Sequence, residues 1–127
     1  MSLDINDLDN IREEITRIAS CYGVFQCIEC SQAIRSFLIS KNLHGKRIKL
    51  SLERRDLPWA VIYDLRREQQ ISTNGYHEGI LIILNEQEII FDNMNNGGVS
   101  RQEWLENLTS PTLEIGVGNF KVVEEEF

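Results

Sequence analysis

The chain has no run approaching the roughly 20 apolar residues that a membrane-crossing helix requires, so a helical membrane protein is excluded. Its first ten residues hold Asp4, Asp7 and Asp9 in place of a basic start and an apolar stretch, and no signal peptide is expected. Basic residues are also scarce: 13 Lys and Arg stand against 20 Asp and Glu, for a net charge of −7. The basic pairs Lys46-Arg47, Arg54-Arg55 and Arg66-Arg67 are short and diluted by acids. Nucleic-acid binding needs a basic face that displaces counterions from phosphates. Neither nucleic acid nor membrane is therefore an expected partner. A cytoplasmic location is expected, unless other machinery or a larger parent chain exports the protein. The acidic end, Glu124 to Glu126, is expected to serve solubility.

A disulfide framework is missing too. There are three cysteines, Cys21, Cys27 and Cys30, an odd number packed within ten positions, which fits a reducing compartment with at least one free thiol. Cys27 and Cys30 have the spacing of a zinc pair, but structural zinc takes four ligands, usually as two close pairs. Only Cys21, His44 and His77 remain, and no second pair exists. A redox dithiol would follow a strand in a βαβ unit, which is absent. No metal and no cofactor are expected. The sequence also has no internal repeat and no low-complexity linker. With 127 residues, 42% hydrophobic and 26% charged, residues 1–127 are expected to form one domain, enough to bury roughly 65–70% of the unfolded chain's surface.

What is present follows two periods. Leu8, Ile11, Ile15, Ile18 and Tyr22 recur every three or four positions, which predicts an amphipathic helix from Asp7 to Tyr22 with Gly23 as its C-terminal cap. After Val24-Phe25, a second helical face is made by Cys27, Cys30, Ile34, Phe37, Leu38 and Lys41, ending before Gly45. Ile48, Leu50 and Leu52 alternate with polar residues as a strand with one wet face. Trp59 to Leu65 is a second strand candidate, and Arg66 to Gly75 reads as an exposed loop. Apolar runs at Ile80 to Leu84 and Glu88 to Phe91, split by a short polar break, predict a hairpin buried in the middle of a sheet. Ser100 and Glu103 form a capping box opening a short helix, and Phe120 to Val123 is expected as the last strand. Helices first and antiparallel strands after make the expected class α+β.

The chemistry lies where these elements meet. A cysteine nucleophile gains from the partial positive charge and free N–H groups of a helix's first turn. Cys27 falls where the second helical pattern begins, whereas Cys30 lies one turn further in, among Ile34 and Phe37, as a small core residue. His77 stands at the mouth of the central hairpin, a place that a rigid sheet fixes and a cleft can reach. His44, before Gly45, reads as a solvated loop residue. With a two-residue loop at Asn85-Glu86, Asp92 opposes Gly79 and shares a face with His77. A three-residue loop would put the two on opposite faces. In such a set the histidine takes the thiol proton and the acid holds the imidazole in the useful tautomer.

The motifs Phe25-Gln-Cys-Ile-Glu-Cys-Ser-Gln-Ala33, Gly75-Tyr-His-Glu-Gly79 and Ile90-Phe-Asp-Asn93, followed by Gly98 and Glu103-Trp104, resemble the papain-fold toxin domains of bacterial polymorphic toxin systems, the type-2 group in particular. The resemblance runs from about Phe25 to Leu108. It implies a papain-like fold with N-terminal helices on a central antiparallel sheet, and a cysteine hydrolase acting on a protein substrate by peptidase, deamidase or related acyl-transfer chemistry. Matched position by position, Cys27 falls on the nucleophile, His77 on the base and Asp92 on the orienting acid. Papain has a glutamine six residues before its nucleophile, where this chain has Cys21. Gln26 and the backbone N–H groups of the helix start are the candidates for the oxyanion. A toxin role would imply an immunity protein as partner and delivery into target cells. The rival reading is a catalytically inactive papain-like domain that binds a protein through the same cleft, with Trp59 and Trp104 as contributors.

Overall fold

The computed structural model describes residues 5–127, with side chains from Asp7 onward. The stretch Met1 to Asp4 of the N-terminal segment lies outside the described residues. Helix α1 (Ile5–Ala19) and helix α2 (Cys27–Ser40) come first, and strand β1 (Lys46–Leu52) follows. Next are β2 (Ile62–Asp64), β3 (Gln69–Ser72), β4 (Tyr76–Leu84), β5 (Gln87–Phe91) and β6 (Val99–Ser100). Helix α3 (Arg101–Glu106), strand β7 (Leu108–Thr109), helix α4 (Pro111–Glu114) and strand β8 (Phe120–Glu126) complete the chain. The strands form an antiparallel sheet in the order β6-β5-β4-β1-β8 and a smaller one in the order β3-β2-β7. This is the expected α+β arrangement.

The β4–β5 pair explains why its sequence is apolar without alternation. Ile80, Ile82 and Leu84 of β4, with Ile89 and Phe91 of β5, pack against Ile15 and Ala19 of α1 and Cys30, Ile34 and Leu38 of α2. Leu81 and Ile90 point the other way and join Ile48, Leu50 and Leu52 of β1, Ile62 and Ile71 of the small sheet, and Trp104 of α3. Both faces are covered from Ile80 to Ile82 and from Ile89 to Phe91, so these positions favour a hydrophobic side chain whichever way they point, whereas Ile83, near the turn, is 67% exposed. The turn has two residues, Asn85 and Glu86, with φ of 51° and 65°, the left-handed pair that matches the twist of a tight hairpin. Leu84 pairs with Gln87 and Ile80 with Phe91. The next step along this register sets Gly79 opposite Asp92.

Several details depart from the sequence expectations. Helix α1 stops at Ala19, short of Tyr22, and Gly23 does not cap it. Cys21 N–H and Tyr22 N–H bond three residues back, to the carbonyls of Ile18 and Ala19, and so close the helix end. Arg66 to Gly75 is not all loop, because β3 lies inside it and pairs with β2. Its only strong apolar residue, Ile71, gives no period to read. Asp64, fully buried, holds the β2–β3 turn by accepting from Arg67 N–H and guanidinium, and ties it to Asn107. Finally, Glu124 and Glu125 lie within β8, which runs to Glu126, rather than in a solvating tail. Glu124 pairs with Lys46 and Arg101, and Glu125 with Lys49 at 2.7 Å. Exposed pairs of this kind add little net stability, so they steer strand pairing more than they stabilise it.

Gly79 is the closest approach in the hairpin. A Cβ there would meet Ile90 Cγ2 at 2.9 Å, the Phe91 carbonyl at 3.0 Å and Asp92 Cβ at 3.4 Å. Gly79→Ala is expected to destabilise the protein by about 1–3 kcal/mol through overpacking, read as a lower urea midpoint. A midpoint equal to wild type would mean that β5 yields freely at this point.

Candidate active site

Three segments bring the site together. Cys27 is the first residue of α2, entered through a tight loop in which Phe25 has the left-handed φ of 69°, a costly conformation for a bulky side chain. That loop is internally bonded: Gly23 N–H donates to Gln26 Oε1 at 2.7 Å, and Gln26 N–H donates to the Gly23 carbonyl at 3.2 Å. His77 is the second residue of β4. Asp92 directly follows β5, on the face that His77 shares.

The structure joins His77 and Asp92 directly. His77 Nε2 lies 2.8 Å from Asp92 Oδ2, and both residues are buried, at 0% and 1% exposure. A carboxylate only accepts, so Nε2 carries a proton and donates it. In the neutral ring Nδ1 is then the free acceptor, and it is buried with no hydrogen-bond partner. Cys27, 8% exposed, lies near enough for its side chain to favour the charged imidazolium. Burial opposes the imidazolium most strongly. The Asp92 hydrogen bond, the Cys27 side chain and the charges of both outweigh it, and His77 is pushed up to about 10. Burial likewise pushes the Asp92 carboxyl up, but its hydrogen bonds from His77, Trp104 and Asn95 and the His77 charge hold it below the ordinary 3.8.

Asp92 is held by more than the histidine. Trp104 Nε1 donates to the same Oδ2 at 2.7 Å, and its ring stacks on His77 with centroids 5.7 Å apart. The backbone N–H groups of Met94 and Asn95 and the Asn95 side chain donate to Oδ1 at 2.9, 2.6 and 3.1 Å, an Asx turn. The sequence offers Trp104 only as a cleft aromatic of the rival binding reading and gives no role to Asn95. The run Asn93 to Asn96 directly after an aspartate was the available signal for the turn. The donor role of Trp104 left none, because α3 reaches Asp92 only through the fold.

The remaining expected residues separate cleanly. Cys30 is fully buried in the core beneath the helices. Burial, then Asp92 and Cys27, push its thiol up to about 12, which suits packing rather than attack. Cys21 is exposed and free. Gln26 caps α2 with its main chain, and its Oε1 is engaged by Gly23, which leaves the side-chain Nε2 as the group able to donate. His44 is exposed, with Nδ1 3.2 Å from the Phe127 carbonyl, away from the site. Among the described residues no three His, Cys, Asp or Glu side chains gather as a metal-binding group, and no helix is long and apolar enough to cross a membrane.

The His77–Asp92 pair gives the fold a defined pH window. The Asp92 contribution is in place above the ordinary 3.8 and lost as pH falls through its lowered folded value. The His77 contribution is fully present below the ordinary 6.5 and drains as pH rises toward about 10. The stability gap between wild type and Asp92→Asn is therefore expected to be widest between about pH 4 and 6.5 and to narrow on both sides. A gap that grows from pH 6.5 to 9 in urea titrations would show that the pair is not charged in the folded state.

No curated protein and no solved structure matches the chain. The family model for papain fold toxin 2 matches residues 10–109, a span that holds Cys27, His77, Asp92 and Trp104. The α+β architecture, with helices laid on a central antiparallel sheet, is accordingly papain-like, and the chain belongs to the papain fold toxin 2 family.

Proposed function

We propose that the chain is a cysteine hydrolase of a bacterial toxin system, acting on a protein target by peptide cleavage, deamidation or related acyl transfer. The observation that carries this reading is the buried His77–Asp92 hydrogen bond, which leaves His77 Nδ1 unpartnered beside the thiol at the start of α2. In this reading the proton of Cys27 has already passed to His77 Nδ1, making the imidazolium that Asp92 stabilises, and Sγ attacks the substrate carbonyl carbon. The carbonyl π pair moves to oxygen. Backbone N–H groups of the first turn of α2, with Gln26 Nε2, are the candidate donors to that oxyanion. His77 then returns the proton to the leaving amine as a thioester forms, and water or another nucleophile resolves it. Asp92 keeps the imidazole in the productive tautomer and stabilises its charged form. Delivery into a target cell and an immunity protein in the producing cell belong to the same proposal.

The three residues are nearly closed to solvent, at 8%, 0% and 1%. The near-closure of the thiol to solvent is the observation behind a second reading, an inactive domain that binds its partner through the surface around these residues. The two separate on thiol chemistry. Iodoacetamide is expected to label Cys27 and spare Cys30, and His77→Ala is expected to slow Cys27 labelling about 100-fold or more, the usual scale of a general base. Cys27→Ala is expected to abolish toxicity in a target cell while the urea midpoint stays near wild type. Loss of toxicity in Cys30→Ala but not in Cys27→Ala would move the nucleophile. Cysteines that stay inert in a folded, toxic protein would favour the binder.

A further inference from the structure

We propose that Asn93 is a positioning residue for Cys27: it locks the loop that carries the thiol to the hairpin that carries His77 and Asp92. The assignment rests on the reading of Cys27 and His77 as the reacting pair. Asn93 Nδ2 donates to the Gly23 carbonyl at 2.8 Å, a bond between residues 70 apart in sequence. The residue is 7% exposed, and its Oδ1 is buried with no partner. All the hydrogen bonding of the side chain is thus directed at one loop carbonyl.

Both ends of this bond are fixed where it matters. On one side, Asn93 directly follows Asp92, whose carboxylate is pinned by Met94 N–H, Asn95 N–H and Trp104. On the other, the Gly23 carbonyl also accepts from Gln26 N–H, the residue before Cys27. Between them lies Phe25, in its left-handed conformation and 53% exposed. Gly23 and Gln26 are exposed as well, so burial holds this loop weakly. A conformation of that kind persists only where its surroundings over-determine it. The Asn93 bond is the side-chain link from the hairpin that does so, and it sets the distance between Sγ and the imidazole.

A double-mutant cycle on alkylation tests this. The rate of Cys27 modification by iodoacetamide is measured by mass spectrometry in wild type, Asn93→Ala, His77→Ala and the double variant. Exposed Cys21 in each protein serves as internal reference. Asn93→Ala is expected to slow Cys27 at least about tenfold relative to Cys21, since small misplacements of a reacting group cost this much. In the His77→Ala background it is expected to slow Cys27 no further, because there is then no base to be aligned with. Three results overturn the assignment: an unchanged Cys27 rate, a faster one, or an equal slowing in both backgrounds, which would mark a general loosening of the fold. If His77→Ala alone leaves Cys27 unaffected, the cysteine–histidine reading falls and the assignment with it. If His77→Ala slows Cys27 and Asn93→Ala does not, only the assignment falls. Should Asn93→Ala fail to fold, Asn93→Asp keeps the size, removes the donor and carries the same comparison.

Discussion

One buried anion organises the chain. Asp92 is 1% exposed, and a carboxylate in that position is tolerable only if its oxygens are satisfied. Five donors do this: His77, Trp104, the Asn95 side chain and two backbone N–H groups. They come from β4, from α3 and from the turn after β5. The same carboxylate therefore fastens α3 to the main sheet, shapes the chain after the hairpin and orients the imidazole. Structure and candidate chemistry share one set of bonds, and charge-assisted bonds of this kind are the strong ones.

Much of this was legible because it is local. The continuous apolar stretches of β4 and β5, with a two-residue turn between them, dictate a register, and the register alone places Asp92 on the face of His77. The start of α2 was legible from the 3.6 period beginning at Cys27, and Ser100 and Glu103 marked the start of α3, where Ser100 Oγ accepts from Glu103 N–H. Non-local features were not legible. Strand β3 has a single buried isoleucine and exists because β2 offers it a ladder. Strand β8 carries its glutamates because Lys46, Lys49 and Arg101 stand within reach. Trp104 is a buried core aromatic whose N–H is also a donor to Asp92. Only the packing of α3 shows that.

The departures from local rules are not spread evenly. Asn85 and Glu86 adopt positive φ in a tight turn, and Asn42 and Glu68 lie in loops as well. Among the described residues Phe25 is the only aromatic non-glycine position with positive φ, and it stands two residues before Cys27. Buried polar atoms without a partner show the same bias. Those of the described residues are Ser31 Oγ, one turn behind Cys27, His77 Nδ1 and Asn93 Oδ1. A buried polar group left unpaired costs roughly 1–3 kcal/mol, and a scaffold selected for stability alone would replace it with an apolar one. Sequences that agree with their fold elsewhere and violate it in one place do so where function constrains them. Strain and unpaired atoms gather on the residues that flank one thiol and one imidazole, which supports the enzyme over the idle binder. A binding surface needs exposed complementarity, and it gains nothing from an unpartnered ring nitrogen buried beside a cysteine.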